Sequence, residues 1–322
     1  MKARAPWAMA LLAALTLTAC SWRMETPDPQ WPSPDAATLI RDAAAEREQA
    51  VIDAATAGSA TAEGAVLATI EAADAPARLD ALGGVYVAYP DATTSPSPSP
   101  TQPSLDDAVT EARDEALGQS LSVDDANLAA ILGATGLAHA LSAWFAQFGS
   151  ATAAGQEVVV AVRPLPSDAL SNTALVPGEP TAIDAATLSD LALEHDRARY
   201  AYEVIAARAS EDLRAQWLAR RDLQAERAEQ LLAFEGVEDQ RESVYVLTLD
   251  QVADAGDALA TAIEVETGLA ETYAELAATA DAVDRPWLLN AAFDAYAQAL
   301  AFGPATADAF SVPALPGLIT AD

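Results

Sequence analysis

Four acidic residues, Glu194, Asp222, Glu266 and Asp294, fall one to a helical segment in the second half of the chain, and both pairs are spaced 28 residues apart. One carboxylate per helix at a regular interval suggests the donor set of a dimetal centre inside a four-helix bundle. Such a centre also uses a Glu-x-x-His pair on two of its helices, because imidazole completes the coordination shell. The positions three after Asp222 and Asp294 are Ala225 and Ala297, and the chain has two histidines, His139 and His195. The expected dimetal set is therefore incomplete, and no metal or other cofactor is expected. Any metal that did bind would fall to Glu194, His195, Asp222 and Glu266.

The helical period separates the faces of the segments that carry these residues. Leu188, Leu191, His195, Ala198, Tyr202 and Ile205 form one stripe, with Glu194 beside it. Leu218, Ala225 and Leu232 mark an inward face that includes Arg221 and Asp222. Leu259, Ile263, Glu266, Ala270, Tyr273 and Ala277 form a third stripe, where Gly268 would let another helix come close. Leu289, Phe293, Tyr296 and Leu300 form a fourth, while Asp294 aligns with Asn290 and Gln298 on a face read as solvent. The expected interior set is Glu194, His195, Tyr202, Arg221, Asp222, Glu266 and Tyr273. Unpaired interior charge is costly, so arginine is expected to face the carboxylates, with tyrosine hydroxyls and His195 filling the remaining valences. His139 lies on the stripe Leu128, Leu132, Thr135, His139, Ala146, where Thr135 is a hydroxyl partner one turn away.

The elements that must position these residues come in two helical regions. In the first, residues 35–149, helix-forming stretches run over 35–57, 62–73, 105–119 and 124–148, and the Leu79–Leu82 run ends at Gly83-Gly84. A short extended piece begins at Val85, and 91–104 is a flexible Ser/Pro-rich loop. Residues 150–182 carry Gly155, Pro164, Pro166, Pro177, Gly178 and Pro180 and read as a linker with one strand-like run at Val158–Val160. In the second region, 183–303, Asp184 and Ser210 cap the first two helices and Gly236 stops the second. A third helix covers about 252–281, and Asp284 caps a fourth that tolerates Pro286 and ends at Gly303-Pro304. Residues 304–322 are a tail. The fold class expected is all-α, an antiparallel four-helix bundle preceded by a second helical region. The run Asp35–Leu39 recurs as Asp184–Leu188, a weak internal echo.

Leu193-Glu194-His195, Tyr200, Tyr202, Arg220-Arg221-Asp222, Val244–Leu247, Glu266, Tyr273 and the terminal Leu315-Pro316-Gly317-Leu318 occur in that order. Over about 184–318 the chain thereby resembles actinobacterial lipoproteins with a C-terminal ferritin-like domain of unknown function. The resemblance implies a ferritin-like four-helix fold and no assigned activity.

The N-terminus reads as an export signal. Lys2 and Arg4 supply positive charge, an apolar stretch runs from Trp7 through Leu17, and Leu17-Thr18-Ala19-Cys20 has the pattern of a lipoprotein processing site. Cys20 is the single cysteine, so no disulfide can form within the chain. Cleavage after residue 19 would leave Cys20 lipidated, and acyl chains such as palmitate bury methylenes at about 0.8 kcal/mol each. Ser21–Pro34, with four prolines, would tether the folded part at the outer, extracytoplasmic face of the cytoplasmic membrane.

After such cleavage fifteen arginines oppose forty-eight acids, a formal −33, with no lysine left. That surface repels phosphate backbones, which excludes nucleic acid as a partner. There is no phosphate loop, nucleophile elbow or zinc pattern, so an enzyme is not the preferred reading. The expected function is a membrane-anchored cell-envelope module that binds or scaffolds an envelope protein or small ligand. The alternative is a divergent metal-binding or oxidase-like protein using its interior carboxylates.

Overall fold

Alanine and leucine dominate the periodic segments, and each helix starts at a residue able to satisfy first-turn N–H groups. In the computed structural model, which describes residues 33–58, 61–86, 103–153, 162–170, 174–247, 252–304 and 306–318, these segments form eight α-helices. The first four are α1 (Ala36–Ala57), α2 (Ala62–Ala81), α3 (Leu105–Ser120) and α4 (Ala126–Ala153). Then follow α5 (Ala185–Arg208), α6 (Glu211–Leu232), α7 (Ala255–Thr279) and α8 (Arg285–Phe302), and a 3-10 turn at Ala307–Ala309. No strand occurs among the described residues. Cys20, most of the 91–104 loop and the Val158–Val160 run lie outside them.

Local chemistry accounts for the starts. Thr61 accepts the N–H of Gly64 at 3.0 Å, Ser104 that of Asp107 at 3.2 Å, and Asp184 that of Thr187 at 2.9 Å. Asp254 and Asp257 form a reciprocal capping box at the head of α7. Asp284 precedes α8 but does not cap it. Its carboxylate instead accepts from Thr181 Oγ1 at 2.7 Å, the Ala182 N–H at 2.6 Å and Trp287 Nε1 at 2.9 Å, so it pins the connecting chain to α8. Pro76 does not divide the second segment. α2 runs through it at the cost of one backbone hydrogen bond, because Ala75, Arg78 and Leu82 are buried around it.

Residues 36–322 form one unit, and 1–35 form another, of which only 33–35 are described. Helices α1 to α4 pack as one set of four: α1 lies on α2 and α3, and α4 on α2 and α3. Helices α5 to α8 form a second set, with α5 on α6 and α7, and α7 on α8. The two sets are continuous, because α4 lies on both α7 and α8. Leu137, Leu141 and Phe145 of α4 share one core with Phe293 and Leu300 of α8. By length and composition Ala126–Gly149 is apolar enough to cross a membrane, and in this fold it is mostly enclosed by its neighbours. Small residues let the helices approach. A Cβ at Gly136 would lie 2.5 Å from Leu117 Cγ of α3. Gly268, expected at a close helix approach, meets nothing within 4 Å.

The segments read as linker and tail are structural. Leu165 and Leu170 are buried, the Leu165 N–H is held by Asn290 Oδ1 at 3.0 Å, and Ser167 Oγ donates to Asp114 at 2.7 Å. After α8, Phe310 packs on Phe145 at 5.5 Å between ring centroids, and Val312 and Leu315 enter the core. Arg285 is buried where the two sets meet. Its Nε donates to Ala277 O at 3.2 Å, and its two terminal nitrogens reach Ala280 O and Ser120 O. One guanidinium thus satisfies carbonyls at the ends of α3 and α7, where the helix dipoles favour a cation.

Gly317 turns the tail against α7 at φ +80°, and a Cβ there would lie 2.2 Å from Ala274 O. Gly317→Ala should lower the unfolding free energy by more than about 1 kcal/mol in denaturant titration, since backbone would have to move. Gly268→Ala, an exposed-groove change within a helix, should leave it unchanged or raise it by up to about 1 kcal/mol.

Candidate functional site

Each set of helices closes over a buried cluster of charge. In the first, α1 contributes Glu48, α2 Glu71 and Arg78, and α4 His139 and Ser142, all at most 1% exposed. Arg78 Nε donates to Glu48 Oε2 at 3.1 Å, and its Nη2 pairs with Glu71. His139 lies between the same two carboxylates, Nε2 at 2.6 Å from Glu48 Oε1 and Nδ1 at 3.1 Å from Glu71 Oε1. With a carboxylate at each ring nitrogen, both must donate, which only the imidazolium can do. Burial disfavours that charge, but Glu71 and Glu48 outweigh it and hold the His139 pKa up at about 9. Both glutamates are conversely held below the usual carboxylate range against their own burial, Glu48 chiefly by His139 and Glu71 chiefly by Arg78. Ser142 Oγ completes the shell of Glu71, whereas Thr135, expected to partner His139, makes no side-chain hydrogen bond among the described residues.

The second cluster draws on all four helices α5 to α8. Arg220 of α6 stands at its centre, fully buried, with Nε 2.7 Å from Glu266 Oε1 and Nη2 2.6 Å from Glu266 Oε2. Its Nη1 reaches Asp294 Oδ2 at 2.9 Å, so one guanidinium joins the carboxylates of α7 and α8. Arg227 Nη2 also donates to Asp294 Oδ2 at 2.6 Å, and the backbone N–H of Arg163 to Asp294 Oδ1 at 2.7 Å. Burial works against the Asp294 charge, but Arg220 and Arg227 bring its pKa down to about 2. The Arg163 side chain extends over α8, donating to Gln298 Oε1 at 2.6 Å and lying 5.5 Å above the Trp144 ring.

From Glu266 a hydrogen-bonded chain runs inward. Tyr202 OH donates to Glu266 Oε1 at 2.6 Å, and Gln224 Nε2 to the same oxygen at 3.2 Å. Gln224 Oε1 lies 2.6 Å from His195 Nδ1, which must therefore carry a proton, leaving His195 Nε2 to accept from Tyr273 OH. This histidine is neutral. Burial, then the nearby Arg227, pushes its pKa down to about 3. Burial also raises both tyrosine hydroxyls, so they remain protonated donors.

His195, Tyr202, Glu266 and Tyr273 thus meet, as the helical stripes suggest. Three other expected members do not. Glu194 faces outward and pairs with Arg197 at 2.5 Å, its side chain 44% exposed. Arg221 and Asp222 pair with each other at 2.5 Å, with Asp222 66% exposed. The inward face of α6 is instead Trp217, Arg220, Gln224, Arg227, Ala228 and Leu231. Leu218, Ala225 and Leu232 only border that face, so a reading by apolar residues is turned by about one position. Asp294, Asn290 and Gln298, expected in solvent, are fully buried: residues 163–165 lie along that side of α8, and Arg220 and Arg227 of α6 reach Asp294. In the first cluster the signal was an interruption: Glu48 sits among Ala44, Ala45, Val51 and Ala55, and Glu71 between Leu67 and Ala75.

The metal set Glu194, His195, Asp222 and Glu266 does not converge. No group of three or more His, Cys, Asp or Glu able to hold a metal ion occurs among the described residues. The donor chemistry agrees, since Glu48, Glu71, Glu266 and Asp294 are each engaged by a guanidinium.

Residues 186–320 match a family described as a domain of unknown function (DUF4439), which takes in the second cluster's helices and the tail beneath them. No curated protein matches the chain, and no solved structure does.

The two histidines titrate in opposite senses. Protonated His139 stabilises the fold fully below pH 6.5, its unfolded value, and that contribution is lost as pH rises through about 9. Neutral His195 stabilises it fully above pH 6.5, and the contribution falls away as pH drops towards 3. Unfolding free energy measured against pH should peak near neutrality, with limbs of up to ~1.4 kcal/mol per pH unit. His139→Gln should flatten the limb between pH 7 and 9, and His195→Gln the limb between pH 5 and 6.5. Unchanged limbs in either variant would refute the corresponding assignment.

Proposed function

We propose that this protein is a lipid-anchored, extracytoplasmic helical module of the cell envelope that binds or scaffolds rather than catalyses. Its second set of helices is read as a ferritin-like bundle whose dimetal chemistry has been replaced by ion pairing. The observation that carries this reading is the placement of Arg220 between Glu266 and Asp294, repeated by Arg78 between Glu48 and Glu71. Carboxylates bonded this way are poor metal ligands, because each would have to leave a charge-assisted hydrogen bond and strand a buried guanidinium. Neither histidine suits acid–base work near pH 7: both are fully buried, with pKa values near 9 and 3. Such interiors hold helices in register while the outer surface meets a partner, here an envelope protein or small ligand. Anchoring at the outer face of the cytoplasmic membrane rests on the signal pattern ending at Cys20.

Two measurements test the proposal. Full-length protein incubated aerobically with Fe(II) or Mn(II) and then desalted should hold well under one metal per chain by elemental mass spectrometry. Retention of one or two metals, lost in a folded Glu266→Ala variant, would replace it with the oxidase-like alternative. In a bacterial host, the chain should sediment with membranes and carry acyl chains on Cys20 by mass spectrometry. Cys20→Ala should abolish the acylation, and an unacylated membrane-free wild type would refute the anchor.

A further inference from the structure

The C-terminal set of helices is closed by a tyrosine-aromatic stack at one end, and beyond that stack the interior is open. Tyr202 stacks on Trp217 at 5.8 Å, and Trp217 lies 5.1 Å from Phe302. On the far side of these rings is a cavity of about 570 Å³, bounded by the end of α5, the start of α6, the entry to α7 and the end of α8. Its size is within the range of small-molecule sites, which are mostly apolar with a few placed polar groups. Ile205, Trp217, Val252, Leu259 and Phe302 provide an apolar wall, and the space exists because Ala209, Ala255, Ala258 and Ala301 line it where larger side chains would fill it.

The polar groups gather at the rim. Arg208 is the one cation among the described lining residues, and one of its nitrogens holds the Val252 carbonyl. Ser210 begins α6 without a side-chain capping bond, so its hydroxyl is not committed to the helix. Asp254 also lines the cavity, but its carboxylate accepts the N–H groups of Gly256 at 2.7 Å and Asp257 at 3.0 Å. Its charge is directed at the head of α7, which leaves Arg208, Ser210 and Gln216 as the other polar side chains of the rim.

We propose that this cavity binds a single-chain acidic amphiphile, the chain against Trp217, Ile205 and Phe302 and the carboxylate at Arg208. An apolar chain leaves water at roughly 0.8 kcal/mol per buried methylene, and a carboxylate is the anion a guanidinium fork receives best. The site is separate from the two buried charge clusters, so its failure would leave the non-catalytic reading standing, and metal retention would not affect it.

The test is calorimetric titration of dodecanoate, below its micelle concentration, into the full-length chain. One saturable site per chain is expected. Arg208→Gln should weaken it about tenfold while binding of dodecyltrimethylammonium is unaffected. Ala258→Leu should abolish binding by filling the cavity, and Ala255→Trp, at an exposed position of the mouth, should do so without touching the core. Circular dichroism would verify that both variants fold. Absence of a saturable site in the wild type, or undiminished binding in either folded variant, would overturn the proposal. Equal affinity in Arg208→Gln would overturn the acidic head group.

Discussion

The structure depends on a single interaction, the Arg220 guanidinium held between the carboxylates of Glu266 and Asp294 with no exposure to solvent. An isolated charge of either sign would cost several kcal/mol in that interior, so none of the three is tolerable without the others. Replacing all three with apolar residues could cost little. Removing one strands the rest, at a typical ~3–5 kcal/mol. The register of α6, α7 and α8 brings these groups together. Tyr202, Gln224 and His195 extend that condition to α5 through hydrogen bonds whose donors and acceptors alternate along the chain.

That requirement explains why α8 is the central element. It presents Asp294 to α6 while its other side is buried against α4, so residues 285–301 are buried all round. A helix buried on every face carries no amphipathic stripe. It also cannot leave its polar residues to water. Asn290 and Asp294 consequently become fixing points for the chain at 163–165, and Asp284 does the same for 181–182. A stretch rich in proline, with the composition of a spacer, is thereby built into the core. Arg285 then joins the two helix sets by meeting carbonyls from α3 and α7 at one guanidinium. The N-terminal region thereby shares a core with the matched residues, α4 lying on both α7 and α8.

This also sets how much could be read from sequence. Helix type and order were legible, since caps such as Asp184, Thr61 and Asp254 act within four residues of themselves. The α5 and α7 faces were legible because apolar residues flank His195, Tyr202, Glu266 and Tyr273 at the helical period. The α6 face was not: its buried residues include Arg220, Gln224 and Arg227, so following alanine and leucine selects the neighbouring Arg221 and Asp222. Asp294 failed for a different reason, one no local rule contains. Its partners are Arg220 and Arg227 of α6 and the backbone N–H of Arg163, 67 to 131 residues earlier in the chain. Glu48 and Glu71 left a legible trace, as each interrupts an apolar stripe, but their partner His139 lies about 70 to 90 residues away. Helix periodicity identifies a buried charge; it cannot name what neutralises it.

The two histidines are equally buried and take opposite states, according to whether neighbouring acids outweigh burial. Around His139 two glutamates meet one arginine, and the imidazolium supplies the missing positive charge. Around His195 burial disfavours a charge first and the nearby Arg227 and Arg220 repel it further, so the ring is neutral. A catalytic base must change protonation during a cycle, which requires a pKa near working pH and a route to substrate or water. Here each histidine is fixed in one state by its neighbours and sealed from solvent by the helices those neighbours join. Whatever these interiors do, they do it by staying in one arrangement.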